Sequence, residues 1–225
     1  NERCILLDFS YTFKCDHYMN LKRLILDGEG VTLDFKQTIT NCEKIAKTMV
    51  SFANNRGGKL LIRIANDGKI VGVKSEEEEK FMILKAAHLY CKPALDPIFE
   101  EIYVDDKIVL QVEIKQSTLR PHYALAEDKT WWAYIRLKDK SVLANEIIID
   151  VLKQENSNQE IYPKYVSKEK ELLKYLQTNS RITTEEYSAI LNLSHRRTRC
   201  ILVSLVLSGI IQLHATEKEL FFTAS

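Results

Sequence analysis

The stretch MVSFANNRGGKLLIRIANDGKIVGV, Met49 to Val73, decides how the first half of the chain folds. An apolar segment runs into a polar turn with paired glycines, Gly57 and Gly58, and two strand-like runs follow, split by Asn66-Asp67-Gly68. Just upstream, NCEKIAKTMVSFANN sets Ile45, Met49, Val50 and Ala53 on one helical face, with Asn41 placed to cap the first turn. That helix is expected to end at Gly57-Gly58, because glycine enters the left-handed conformation that closes helices without a Cβ clash. KLLIRIA and KIVGV then read as two strands joined by Asn66-Asp67-Gly68, residues that tolerate positive φ. Asn54-Asn55-Arg56-Gly57-Gly58 is thus a helix-to-strand corner first and a candidate phosphate contact second. Neither a P-loop spacing nor a G-x-G-x-x-G fingerprint accompanies it.

Working outward, HYMNLKRLILDG carries Leu21, Leu24 and Ile25 at helical spacing and stops at Gly28, and VTLDFKQ alternates as a strand. After the opening stretch, SEEEEKFMILKAAHLYC begins with Ser75 and four glutamates and continues with Phe81, Leu84, Ala87 and Leu89, a helix whose acids favour its positive end. Those glutamates read as a solvated first turn rather than a metal site. PIFEEIYVDDKIVLQVEIK is a hairpin around Asp105-Asp106, TWWAYIRLKD a strand, and VLANEIIIDVLKQE a helix. Alternation in the strand sends Trp131 and Trp132 to opposite faces, one into the core and one free to stack on a base or fill an interface. The order of elements predicts a mixed-sheet α+β domain over residues 1–153.

A polar segment, QENSNQEIYPK at 154–164, reads as a linker. Residues 165–225 then hold three helical stretches, SKEKELLKYLQTN, the Thr-capped TTEEYSAILN, and SHRRTRCILVSLVLSG from Ser194 to Gly209. Two short apolar runs, IIQLHA and ELFFTA, surround Thr216-Glu217-Lys218. Three helices followed by a small hairpin is the winged helix-turn-helix arrangement, in which the second helix of the pair presents its N-terminal residues to the DNA major groove. Here those residues are Ser194, His195, Arg196, Arg197, Thr198 and Arg199. Cations at a helix N-terminus oppose the dipole by about 0.3–1 kcal/mol each, a cost that phosphate contact offsets. Arginine clamps phosphate or bridges two acceptors of guanine, and Lys218 sits at the tip of the wing. The competing reading leaves the arginines solvated or paired with Glu185 and Glu186.

The formal net charge of +1 announces no global field for nucleic acid or membrane, so any basic surface is local. Five widely spaced cysteines, Cys4, Cys15, Cys42, Cys91 and Cys200, fit reduced thiols better than disulfides or zinc. No apolar run approaches a membrane span and no signal-peptide pattern opens the chain, so a cytoplasmic protein without membrane partners is expected.

Four ordered segments, GEGVTLDFKQ, VSFANNRGGKLLIRIANDGKIVGV, RPHYA and AYIRLKDKSVLANE, together resemble the Schlafen AlbA_2 domain, a DNA-binding module of many bacterial transcriptional regulators. Ser51-Phe52-Ala53-Asn54-Asn55-Arg56-Gly57-Gly58 is similar to the family's Ala-Phe-Ala-Asn-Thr-x-Gly-Gly motif. The resemblance implies nucleic-acid contact near Asn54, Asn55, Arg56, Gly57 and Gly58, and a winged helix often follows such domains. It also raises a metal-dependent ribonuclease, since some Schlafen proteins use three carboxylates. Glu29 and Asp34 match the first two, but Ala65 and Asn66 stand where relatives carry Asp-Asp, and Asp67 falls in the turn. His122 matches the family pattern and lacks a Ser or Cys nucleophile with evident geometry, so a loop role is expected. The combined expectation is a transcriptional regulator binding double-stranded DNA as a homodimer, with no catalytic residues, metal or cofactor. A small-molecule or nucleotide effector stays open, and the alternatives are the ribonuclease and a non-catalytic protein-interaction module.

Overall fold

The computed structural model describes residues 18–65, 67–72, 76–155 and 166–225. Asn66 and Val73, the Ser75 cap, the N-terminal CILLDFSYTF segment and most of the expected linker lie outside these residues. The chain divides into two compact units, one ending at Leu143 and the other Ala144–Ser225.

The first unit is built on a four-stranded sheet in the order β1 (Leu33–Lys36), β2 (Gly58–Ile62), β5 (Lys107–Ile114), β4 (Ile98–Val104). β1 and β2 run parallel, connected through α2 (Cys42–Ala53), and the remaining pairs are antiparallel. Alternation along β2 feeds two cores. Leu60 and Ile62 join Ile45, Met49 and Phe52 of α2 and Ile83 of α3 (Glu76–Leu89) on one face, while Leu61 joins Leu21 of α1 (18–27), Phe35 and Val109 on the other. Each such buried aliphatic chain contributes about 1.5–3 kcal/mol. A second antiparallel sheet, in the order β3 (Cys91–Lys92), β6 (Tyr123–Leu125), β7 (Trp131–Leu137), β8 (Lys140–Leu143), packs on α2.

Two of the expected local signals operate as read. The Asn41 side chain accepts from Lys44 N–H at 3.0 Å, and Gly57 takes φ +74° after the helix. Over its described residues 69–72, however, KIVGV is not a strand: only Ile70 bridges Ile64. Both edges of β2 are already occupied by β1 and β5, and Arg63 turns the chain with φ 72° immediately after β2. Glu79 is not solvated either, being buried with one carboxylate oxygen 2.7 Å from Arg63. The stripe Phe81, Leu84, Leu89 faces outward, and the neighbouring stripe Ile83, Ala86, Ala87 fills the core. Trp131 and Trp132 are both exposed, at 39% and 43%, instead of dividing between core and solvent.

The second unit contains α4 (Glu146–Glu155), α5 (Val166–Thr178), β9 (Ile182–Thr183), α6 (Thr184–Leu191), α7 (His195–Leu207), β10 (Ile211–Ala215) and β11 (Leu220–Ala224). The strands form an antiparallel sheet in the order β10, β11, β9. Its core joins Ile147 and Val151 to Leu172, Tyr187, Ile201, Leu202, Leu205 and Phe222. The helix that the sequence reading attached to residues 1–153 thus packs on α7 of this unit. Thr183 caps α6 through a reciprocal capping box with Glu186.

Candidate functional site

The corner after α2 is locked from within. Asn54 is 2% exposed, and its amide donates at 2.9 Å to the carbonyls of His122 and Tyr134 while its Oδ1 accepts from His122 N–H at 2.7 Å. Asn55 donates at 3.1 Å to the Arg136 carbonyl. These bonds tie α2 to β6 and β7 and use both amide protons of Asn54, so it has no free donor for a phosphate. A Cβ on Gly57 would stand 2.7 Å from the Ile114 carbonyl oxygen and one on Gly58 2.6 Å from the Phe52 ring, so both positions exclude side chains for steric reasons. Arg56 alone of this group is exposed without a partner among the described residues. It borders an open cavity of about 590 Å³ that also takes in Lys59, Lys115, Asp27, Glu29 and Glu113, three cations against three acids with its own.

Glu29 and Asp34 do come together. Glu29 is exposed as a residue, but its Oε1 accepts from Phe35 N–H at 2.8 Å. Partial desolvation of the carboxyl, followed by a hydrogen bond with Asp34, holds its pKa above the ordinary value. Asp34 is buried and lies 2.7 Å from Lys36 Nζ and 3.5 Å from the buried guanidinium of Arg136. Arg136 also donates at 3.0 Å to the Gly30 carbonyl and covers the Phe52 ring, 5.0 Å from its centroid. The acid pair therefore already has two cations, and Ala65 and Asn66 stand where the family resemblance expects the third carboxylate. No group of three or more metal-binding side chains converges among the described residues. Sequence reading missed Arg136; its signal was an arginine in register with Tyr134 on the α2-facing side of a strand.

His122 has a serine partner that the sequence reading did not foresee. It is buried, and its Nδ1 donates to the Pro93 carbonyl at 2.8 Å, because a carbonyl can only accept. Nε2 is then the acceptor for the Ser117 hydroxyl at 2.6 Å. Burial lowers the histidine pKa, which favours the neutral ring. Ser117 Oγ also accepts from Leu119 N–H and its backbone N–H donates to Ala53, both at 3.0 Å, so the pair clasps the loop between β5 and β6.

In the second unit the basic residues part company. Arg196 and Arg197 are exposed in the first turn of α7, with no partner among the described residues. Ser194 is the N-cap residue but makes no side-chain cap bond, which leaves first-turn N–H groups open. Arg199 turns to α4 instead, paired with Glu146 and with Asp150 at 2.7 Å, rather than with Glu185 or Glu186. His195 and Lys218 border one concavity of about 430 Å³ together with Glu146, Glu185 and Glu219. Lys218 lies on the β10–β11 turn, whose backbone is held by Thr216 Oγ1. Among the described residues no helix is long and apolar enough to cross a membrane.

The family described as Schlafen, AlbA_2 matches residues 29–145, more than half of the chain. Among solved structures, the DIP2311 protein from Corynebacterium diphtheriae is similar at 14% identity and a TM-score of 0.42, covering 65% of this chain and 30% of that one. This chain therefore spans under a third of that protein's length. The N-terminal domain of a RecG-related protein from Nitrosomonas europaea is similar at 20% identity and a TM-score of 0.42, covering 56% of this chain and 92% of that domain. The comparison with curated proteins found no match.

Proposed function

The chain belongs to the Schlafen AlbA_2 family, and from that premise we propose that it is a nucleic-acid-binding protein, a transcriptional regulator whose second unit reads duplex DNA. The observation that carries this reading is the exposed, unpartnered pair Arg196 and Arg197 at the open N-terminus of α7. A stability-driven sequence gains nothing from cations there, whereas a phosphate backbone meets both their charge and the free N–H groups. Three helices, α5 to α7, followed by the β10–β11 hairpin with Lys218 at its turn support a winged helix over residues 165–225. His195 and Ser194 complete the reading surface, and Arg199 serves as a structural tie to α4. In the first unit Arg56, with Lys59 and Lys115 on the same cavity, is the group best placed to touch nucleic acid. Ala65 and Asn66 where relatives carry Asp-Asp, and the cations on Asp34, favour a non-catalytic role over the ribonuclease.

Fluorescence anisotropy of a labelled duplex, titrated across salt, tests the proposal. Wild-type binding should weaken log-linearly with salt, and Arg196→Ala/Arg197→Ala should reduce that slope by about 2, near 0.9 per lost phosphate contact. Absence of salt-dependent binding at low salt would overturn it. Metal-dependent RNA cleavage that disappears in Glu29→Ala would replace it with the ribonuclease.

A further inference from the structure

We propose that the outer face of α3 is a docking surface for a second copy of this chain, packed antiparallel about a two-fold axis. The helix buries Glu79, Ile83, Ala86 and Ala87 against its own unit. Its opposite side leaves Phe81 63%, Leu84 37% and Leu89 62% exposed, and these three with Lys85 and His88 line a shallow apolar groove of about 380 Å³. Three large apolar side chains one and two turns apart form a contiguous stripe, which solvent alone does not account for.

The charges on that stripe select the occupant. Glu77 and Glu78 stand exposed at its N-terminal end, and Lys85 and His88 at its C-terminal end. Glu77, Glu78 and Lys85 have no ion-pair partner among the described residues, and His88 has only the exposed Asp96, 3.9 Å away. Such a stripe is complementary to itself run backwards. In an antiparallel pair centred on Phe81, Glu77 of one helix faces Lys85 of the other with Glu78 beside it, and Phe81 faces its own copy with Leu84 alongside, so acid meets base on both sides of an apolar middle. A parallel pair would set glutamate on glutamate, and a partner of one charge would satisfy only one end. The helix is about 21 Å long, so the contact falls below about 1,200 Å², in the range of weak, transient associations.

Sedimentation of the full chain without nucleic acid, from about 1 to about 200 µM, reads this independently of DNA binding. The wild type should move toward twice the monomer mass as concentration rises, with amide exchange of residues 77–89 slowing in step. Phe81→Glu, and separately Lys85→Glu, should each weaken association at least about tenfold. Glu77→Lys/Glu78→Lys/Lys85→Glu should restore it, since the reversed stripe is again self-complementary. All four positions are exposed, and circular dichroism checks that each variant is folded. A monomer at every concentration overturns the proposal, as does a dimer indifferent to Phe81→Glu and Lys85→Glu, or a triple variant that fails to recover.

Discussion

Asn54 separates a fold-forming corner from a ligand contact, and Asn54→Ala measures the difference. The side chain satisfies three backbone groups at 2.7 to 2.9 Å from a position 2% exposed. Truncation strands two carbonyls and the His122 N–H, each at about 1–3 kcal/mol when buried. Tyr134 is only half-buried and a water can enter there, so the lower half of that sum applies, about 3–6 kcal/mol. At roughly 2–4 °C per kcal/mol for a chain of this size, the melting temperature of the first unit should fall by about 6–24 °C. Asn54→Asp sharpens the test, because it keeps the acceptor for His122 N–H and turns a carboxylate oxygen toward two carbonyl oxygens. It should cost at least as much as alanine despite its matching shape. Differential scanning calorimetry reads both variants. Melting within about 1 °C of wild type, combined with weakened nucleic-acid binding, would refute the argument and make Asn54 a ligand group.

Glu29→Gln should raise thermal stability at neutral pH. The native pKa of Glu29 is raised above its ordinary 4.5, so the folded state holds the proton more tightly and stability falls as pH climbs through that window. The glutamine mimics the protonated acid, so melting curves of the two proteins should converge below pH 4.5 and separate above it; a wild type more stable than the variant at pH 7 would contradict this. Arg199→Ala should cost about 1 kcal/mol in urea unfolding, because its pairs with Glu146 and Asp150 are partly solvated, and should leave the salt slope of DNA binding unchanged. Burial pushes the Cys91 thiol up to about 12, so iodoacetamide at pH 8 should modify the exposed Cys200 at least about tenfold faster, as followed by peptide mass spectrometry.

Features set by near neighbours in the chain were legible in advance. Asn41 and Thr183 cap because their oxygens reach N–H groups three residues on, and Gly57 turns because it has no Cβ. Features set by distant partners were not. KIVGV has the composition of a strand, but whether it pairs depends on which strands already flank β2, and β5 comes from beyond α3. The apolar residues of α3 fit two adjacent stripes, and only the packing of Ile83 and Ala87 under α2 decides that Phe81 and Leu89 face out. Likewise Ile147 and Val151 declare an amphipathic helix without saying that α7 covers it. The Ser117–His122 clasp joins two loop positions with no periodicity to connect them.

The arginines of α7 mark the boundary between these two kinds of information. Thr198, Leu202 and Leu205 define the buried side of the helix. At about 100° per residue, Arg196 stands roughly 160° from Thr198, directly away from the core, while Arg197 and Arg199 flank it at about 100° on opposite sides. Periodicity alone therefore sets Arg196 outward, but Arg197 and Arg199 are equivalent until the neighbours are known. α4 covers one flank and brings Glu146 and Asp150 to Arg199; Arg197 on the other flank stays exposed. On the proposed DNA-binding reading, three arginines in four positions thus offer two phosphate contacts, not three, and that count fixes the loss of slope expected of Arg196→Ala/Arg197→Ala. Adding Arg199→Ala should lower stability without lowering the slope further, and a further drop of about 1 would mean that Arg199 leaves its carboxylates for the DNA.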